Sequence, residues 1–262
     1  MVPLPVDIDR VIEDSWQKTG QIPGHLGENE ARLLGILAAC SPANGVIVEI
    51  GSLKGKSTVM LASVAAHYAL GPVVAIDPHT SPAVTDPAIR NGSTFDDFLN
   101  SIRTSGVDSH VEIHRAFSQD VAKQWNRPIR LLWIDGDHTY RGAKQDFDGF
   151  SPYLSPGAII AFHDSLNAYE GPITVFVKDV LRNEKFGAAG FVQSIAWSQF
   201  RPALDPSVKK QRANLERRAS RLVPFVAGGK AVQGLRKMAY KLVRSRVPRT
   251  LLTPAELAAQ LS

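Results

Sequence analysis

The sequence predicts an α/β fold: a doubly wound, mostly parallel sheet with helices on both faces, followed by a basic helical C-terminal extension. Three observations carry this. Short apolar runs rich in β-branched residues recur at 46–50, 72–77, 130–135 and 158–164, the pattern of strands buried on both faces. Stretches of helical periodicity separate them, and such alternation builds parallel sheets through right-handed crossovers. Beyond Trp197 the composition shifts to Lys and Arg interleaved with apolar residues.

Taken in order, ENEARLLGILAAC (28–40) places Leu33, Leu34, Leu37 and Ala38 at helical spacing. Pro42, Asn44 and Gly45 end that helix. VIVEI (46–50) reads as the first strand, KSTVMLASVAAHYA (56–69) as a helix and PVVAID (72–77) as the second strand. Residues 78–94, with Pro78, Pro82, Pro87 and Gly92, read as a long loop of the kind that carries function. A helix near 94–104, a strand at 110–114 and a helix near 118–124 follow. RLLWID (130–135) is a strand, 140–150 a helix and AIIAFHD (158–164) another strand. The expected division is a catalytic domain over 1–200, its first 45 residues a helical cap, and an extension over 201–262.

At 262 residues the chain can bury a sizeable core. No apolar run approaches the roughly 18 residues that span a bilayer. The opening MVPLPVDIDR does not read as a signal peptide. Cys40 is the sole cysteine, which rules out an intrachain disulfide and a cysteine metal cluster; a cytoplasmic home is expected. The net charge of +5 averages two regions. Residues 206–250 hold 13 Lys or Arg and one acid, Glu216, while the remainder holds 17 basic and 24 acidic residues. Within that basic stretch Leu235, Met238, Ala239 and Leu242 share a helical face, with Arg236, Lys237, Lys241 and Arg244 largely elsewhere. Such a helix can lie on an anionic membrane, bind nucleic acid or pack on a partner subunit. It can equally be a solvated helix balancing the acidic body, and a homodimer is the expected assembly.

In open α/β sheets ligands bind beyond the carboxyl ends of the strands. The first strand ends in Glu49-Ile50-Gly51-Ser52-Leu53-Lys54-Gly55-Lys56-Ser57-Thr58. Gly51 and Gly55 let the backbone approach a ligand, and the next helix aims its N-terminal amides there. A P-loop needs one more residue between its glycines, and Ser52-Leu53 breaks the dinucleotide fingerprint. The second strand ends in Asp77, and a carboxylate can accept two hydroxyl hydrogen bonds at once.

These motifs resemble those of the class I S-adenosylmethionine-dependent methyltransferases, over roughly residues 28–200. The resemblance implies a Rossmann-like fold and S-adenosylmethionine as cofactor. It implies that Glu49 orders the glycine turn, that Gly51, Ser52, Gly55 and Ser57 line the methionine part, and that Asp77 takes the ribose hydroxyls. Ser118 and Asp135 complete the expected cofactor set.

Two later strands end in Asp135-Gly136-Asp137-His138 and Phe162-His163-Asp164-Ser165. Asp135, His163 and Asp164 would offer two carboxylates and one imidazole to a divalent cation such as Mg²⁺ or Mn²⁺. Asp-x-x-His on one strand end and paired ligands on the next resemble the metal-dependent O-methyltransferases that act on macrolide sugars. That likeness implies metal binding by Asp135, His163 and Asp164, with His138 as general base. One departure stands out: the related enzymes commonly carry Glu-Asp where this chain has His163-Asp164. Asp137 reads as a turn-forming carboxylate, and His25 and His79 as surface histidines near the site's mouth.

The expected activity is methyl transfer to a hydroxyl of a sugar, glycoside or polysaccharide precursor, methylated mannose polysaccharides included. A catechol-type acceptor is the near alternative. An RNA methyltransferase lacks support, since no Asn/Asp-Pro-Pro-Tyr motif or aromatic stacking platform is present. A non-catalytic protein that keeps the fold is the remaining alternative. The acceptor's identity is expected to lie in 78–94, 165–175 and the basic tail.

Overall fold

The computed structural model of the chain describes residues 4–80, 93–201, 205–229 and 231–261. Two helices, α1 (Ile8–Thr19) and α2 (Glu28–Cys40), lead into the alternating part. This runs β1 (Val46–Ile50), α3 (Lys56–His67), β2 (Val73–Ile76), α4 (Phe95–Thr104), β3 (Val111–His114), α5 (Ser118–Ala122), β4 (Ile129–Ile134), α6 (Tyr140–Phe150) and β5 (Leu154–Phe162). Then come α7 (Glu170–Val175), a hairpin of β6 (Ala189–Val192) and β7 (Ile195–Gln199), and four helices, α8 (Pro206–Ala219), α9 (Val223–Val226), α10 (Gly234–Arg244) and α11 (Pro254–Leu261). Of the long loop expected over 78–94, positions 81–92 lie outside the described residues.

The strands form one sheet in the order β3-β2-β1-β4-β5-β7-β6. β1 pairs in parallel with both β2 and β4, so the chain reverses its direction of winding between them. β7 runs antiparallel to β5 and β6. Every residue of β2 and β4 is buried, which explains why these strands read as unbroken apolar runs rather than alternating ones.

Strand residues divide their side chains between the two faces with a period of two. Ile47, Leu131, Trp133, Ile159 and Ala161 pack with the helices α1, α2 and α3. Val48, Ile50, Leu132, Ile134, Ile160 and Phe162 pack with Phe147, Phe150, Ile173 and Phe176 on the other face. The extension joins both halves. Leu215, Ala219, Leu222, Val226 and Tyr240 belong to the second half of the core, and Leu257 and Leu261 to the first. Gln199 Nε2 also donates to the Leu261 carbonyl at 3.0 Å.

Parallel pairing sets the register of the site. Ile50 stands opposite Ile76 on one side and Ile134 on the other, and Ile134 stands opposite Phe162. The residues that follow, Gly51, Asp77, Asp135 and His163, are therefore delivered to one edge of the sheet.

Candidate active site

The turn after β1 demands glycine at two points. Gly51 has φ +89°, and a Cβ there would sit 2.3 Å from the Asp135 carbonyl oxygen. Gly55 has φ +87° and opens α3. L-residues avoid this region, whereas glycine enters it freely. Leu53 between them also has positive φ, at 48°, so the turn is wound tightly against the β4 edge.

Two carboxylates hold that turn. Glu49 is fully buried; the hydroxyls of Ser52, at 3.0 Å, and Thr58 donate to its Oε2, while its Oε1 has no partner. Burial pushes its carboxyl up to about 7, with the Ser57, Thr58 and Ser52 hydroxyls pulling the other way. Asp77 accepts from the Ser52 and Leu53 amides through Oδ2, at 2.9 and 2.8 Å, and from the His79 amide through Oδ1 at 2.7 Å. Asp77 thus fastens the glycine turn to the end of β2, with about one of a carboxylate's four acceptor sites, on Oδ1, left over. Ser57 lies buried at the start of α3 beside Glu49.

Ser118 stands one layer back. Its hydroxyl donates to Asp146 Oδ1, and Asp146 Oδ2 lies 3.2 Å from where a Cβ on Gly136 would be. Burial pushes the Asp146 carboxyl up to about 6. His79 departs from expectation. It is buried rather than on the surface, its Nδ1 2.9 Å from Thr94 Oγ1 and its ring against Phe95 and Phe98. His25 is exposed. Asp137 accepts from the Thr139 amide and hydroxyl at 2.8 and 2.9 Å, and Thr139 in turn caps α6. It shapes the turn, as such residues commonly do.

Asp135, His138, His163 and Asp164 converge beyond β4 and β5. His138 Nε2 lies 3.5 Å from Asp135 Oδ1 and 3.7 Å from Asp164 Oδ2. Both ring nitrogens of His138 are buried without a hydrogen-bond partner, and Tyr169 stacks on the ring at 4.6 Å. The Gly171 amide donates to the His138 carbonyl at 2.9 Å, which ties the loop after β5 to the loop after β4. Burial opposes charge on His138, but Asp135 and Asp164 together raise its pKa above the ordinary value. Asp164 has φ +54° and Ala168 +66°, so non-glycine residues in strained backbone cluster at this edge.

The expected cation site does not fit this geometry. Among the described residues, no three His, Cys, Asp or Glu side chains are grouped to hold a metal ion. The reason lies with His163. Its Nδ1 is 3.0 Å from Asp135 Oδ1 and 3.6 Å from Asp164 Oδ1, and its Nε2 is 3.5 Å from Glu30 Oε2. Burial disfavours charge here, yet the carboxylates Asp135, Glu30 and Asp164 outweigh it and raise the His163 pKa well above its usual value. His163 thus faces Asp135, Glu30 and Asp164 at once, and a metal held by Asp135, His163 and Asp164 stays a proposal of the sequence.

Glu30 is the member that sequence reasoning missed. It sits in the first turn of α2, where its Oε2 caps the Gly27 amide at 3.1 Å and its Oε1 accepts from the Ser194 amide and hydroxyl. Burial would raise its pKa, but His163 and these donors hold it down to about 2. The only signal was a glutamate near a helix start, which reads as an ordinary cap.

With this geometry in view, the relatives can be placed. Residues 48–165 match the family described as a methyltransferase domain. The O-methyltransferase from Bacillus cereus in complex with SAH superposes with a TM-score of 0.53 at 18% identity, covering 77% of this chain and 93% of that one. The O-methyltransferase NovP gives 0.57 at 12%, covering 74% and 98%. TomG from Streptomyces achromogenes, an O-methyltransferase in complex with SAM, gives 0.51 at 15%, covering 77% and 92%. The matched segment reads as a methyltransferase domain from Val48 to Ser165, and the fold around it is the Rossmann-like one of these O-methyltransferase structures.

Proposed function

We propose that the chain is an S-adenosylmethionine-dependent methyltransferase that acts on oxygen, transferring a methyl group to a hydroxyl of a small molecule, with a sugar or glycoside as the leading acceptor class. The observation that carries the reading is His138: a buried imidazole with no hydrogen bond at either nitrogen among the described residues, set within ion-pair reach of two aspartates at the carboxyl edge of the sheet. The oxygen-methylating relatives and the Asp135-x-x-His138 resemblance to sugar enzymes support it, and a catechol-type acceptor is the alternative.

When bound, S-adenosylmethionine supplies an electrophilic methyl on a sulfonium; the C–O bond forms as C–S breaks and the electron pair stays on sulfur. The chain's residues do the rest. Glu49 and Asp77 fix the glycine turn in the shape that receives the methionine part, and the acceptor site left on Asp77 Oδ1 suits a ribose hydroxyl. Ser118, Asp146 and Gly136 back the turn. His138 takes the hydroxyl proton at Nε2, and Asp135 and Asp164 stabilise the imidazolium that results. Holding oxygen and methyl in line supplies much of the acceleration. No step is routed through a divalent ion.

The test is methyl transfer from labelled cofactor to sugars, phenols and RNA. Transfer to a hydroxyl acceptor, lost in His138→Ala with cofactor binding kept, is the expected outcome. Transfer only to nitrogen or carbon, or full activity in His138→Ala, overturns the reading.

A further inference from the structure

The extension carries two features that the methyl-transfer site does not use. The first is a surface cavity between α8 and α10, lined by Arg217, Arg218, Arg221, Arg246 and Val243. The one acid of the 206–250 stretch, Glu216, is engaged by Arg182 at 2.9 Å. Among the described residues, Arg217 and Arg218 donate to the neutral side chain of Asn214, and Arg218 also to the Arg246 carbonyl. Four guanidinium groups around one cavity are suited to phosphate oxygens, which their planar forks bind in pairs.

The second is the outer face of α10. Leu235, Met238 and Leu242 are 84%, 67% and 59% exposed, although their i, i+3, i+7 spacing puts them on one face. The helix is anchored from its opposite side. Tyr240, 2% exposed, receives the Ala168 amide on its hydroxyl at 3.1 Å, and Arg244 donates to the Leu166 carbonyl at 3.1 Å. Lys241 borders the apolar face on one side, with Lys237 further round the helix, and both are exposed.

We propose that the extension is a docking surface for anionic membranes, with lipid phosphate held in the four-arginine cavity and the Leu235–Met238–Leu242 face lying in the headgroup boundary. An apolar stripe bordered by Lys and Arg is the pattern of helices that lie in a bilayer interface, and anionic headgroups supply the complementary charge. RNA would match the arginines but leave three aliphatic side chains in water, because single strands are held by aromatic stacking. A second copy meeting this face across a two-fold axis would oppose like charges. The proposal is independent of the methyl-transfer reading, since binding is measured without cofactor or acceptor.

The experiment is co-sedimentation of the full chain with vesicles of phosphatidylcholine alone, or of equal parts phosphatidylcholine and phosphatidylglycerol. Binding is expected only to the latter, and it weakens as salt rises. Leu235→Asp/Met238→Asp/Leu242→Asp and Arg217→Gln/Arg218→Gln/Arg221→Gln should each weaken partitioning by roughly tenfold or more, as loss of either the apolar or the electrostatic contribution requires. These side chains are exposed, so circular dichroism should show the fold unchanged. Absence of binding, equal binding to both vesicles, or binding that survives both variants overturns the proposal. Release by inorganic phosphate beyond that by chloride of equal ionic strength supports the cavity's part, whereas phosphate binding in calorimetry with no vesicle binding would make free phosphate the ligand. A dimer that falls apart in the Leu/Met→Asp variant, with no vesicle binding by the parent chain, would assign the face to a second copy.

Discussion

Replacing Glu30 by alanine would leave His163 with one of its three carboxylates missing, in a cluster that water reaches poorly. Breaking a buried pair from one side typically costs about 3–5 kcal/mol, because the remaining charge stays uncompensated. Glu30→Ala is expected to lose stability on that scale in urea unfolding, although Glu30 stands outside the matched domain. The pH dependence follows in sign. Glu30 and Asp135 are each held at about 2 by His163 and their other donors, against the burial that would raise them. Their stabilisation is therefore complete above the ordinary carboxylate range and is lost as pH falls from about 4 towards 2. Glu30→Gln should flatten that slope. His163 also bears on metal: turnover kept after EDTA treatment would leave it an ion-pair partner of Asp135 and Glu30, whereas activity lost on chelation and restored by Mg²⁺ or Mn²⁺ would make it a ligand.

At the scale of elements, the site is an outcome of register. β1, β2, β4 and β5 end level, and their next residues wind into strained turns at Gly51, Leu53, His79 and Asp164. Gly51→Ala should be costly beyond its size, since its φ of +89° is compounded by a 2.3 Å approach to the Asp135 carbonyl. A loss of about 1–3 kcal/mol from backbone strain alone is expected, read as a lowered melting temperature together with weakened S-adenosylmethionine binding in calorimetry. Unchanged cofactor affinity would show that the turn tolerates displacement. These strands were legible because burial on both faces leaves them continuously apolar, and the positions of Glu49, Asp77 and His138 at the sheet edge were legible because they lie within or just beyond the ends of such strands. The β6–β7 hairpin escaped, since Gly190, Gln193, Ser194 and Gln199 interrupt its apolar residues. Glu30 escaped for another reason: its partners Ser194 and His163 meet it only through tertiary packing.

Across the whole molecule, charge and packing divide the chain differently. Composition separates an acidic body from a basic stretch at 206–250, which marks off the extension expected over 201–262. Packing binds that extension into both halves of the core through Leu215, Leu222, Val226, Leu257 and Leu261. A chain ending at residue 205 should consequently melt lower and tend to aggregate, because those contacts would leave apolar surface exposed on the body. Thermal unfolding of the truncated and full chains compares the two directly, and equal melting temperatures would mark the extension as a separate unit. Charge patterning reveals where a chain meets its surroundings; hydrophobic spacing reveals what it folds against. Residues such as Tyr240 and Val247 within the basic stretch carried the second signal beneath the first.

The central claim is that His138 removes the acceptor's proton, and the pH profile of methyl transfer tests it most directly. Only the neutral imidazole can act as base. Since Asp135 and Asp164 hold its pKa above the ordinary value despite burial, kcat/KM should rise with a midpoint above about 6.5, the unperturbed histidine value. His138→Ala should lose roughly 10²–10⁴ in kcat, the usual range for general base catalysis, and lose that ionisation while still binding S-adenosylmethionine. A variant that keeps the same rising limb at a comparable rate would contradict the account.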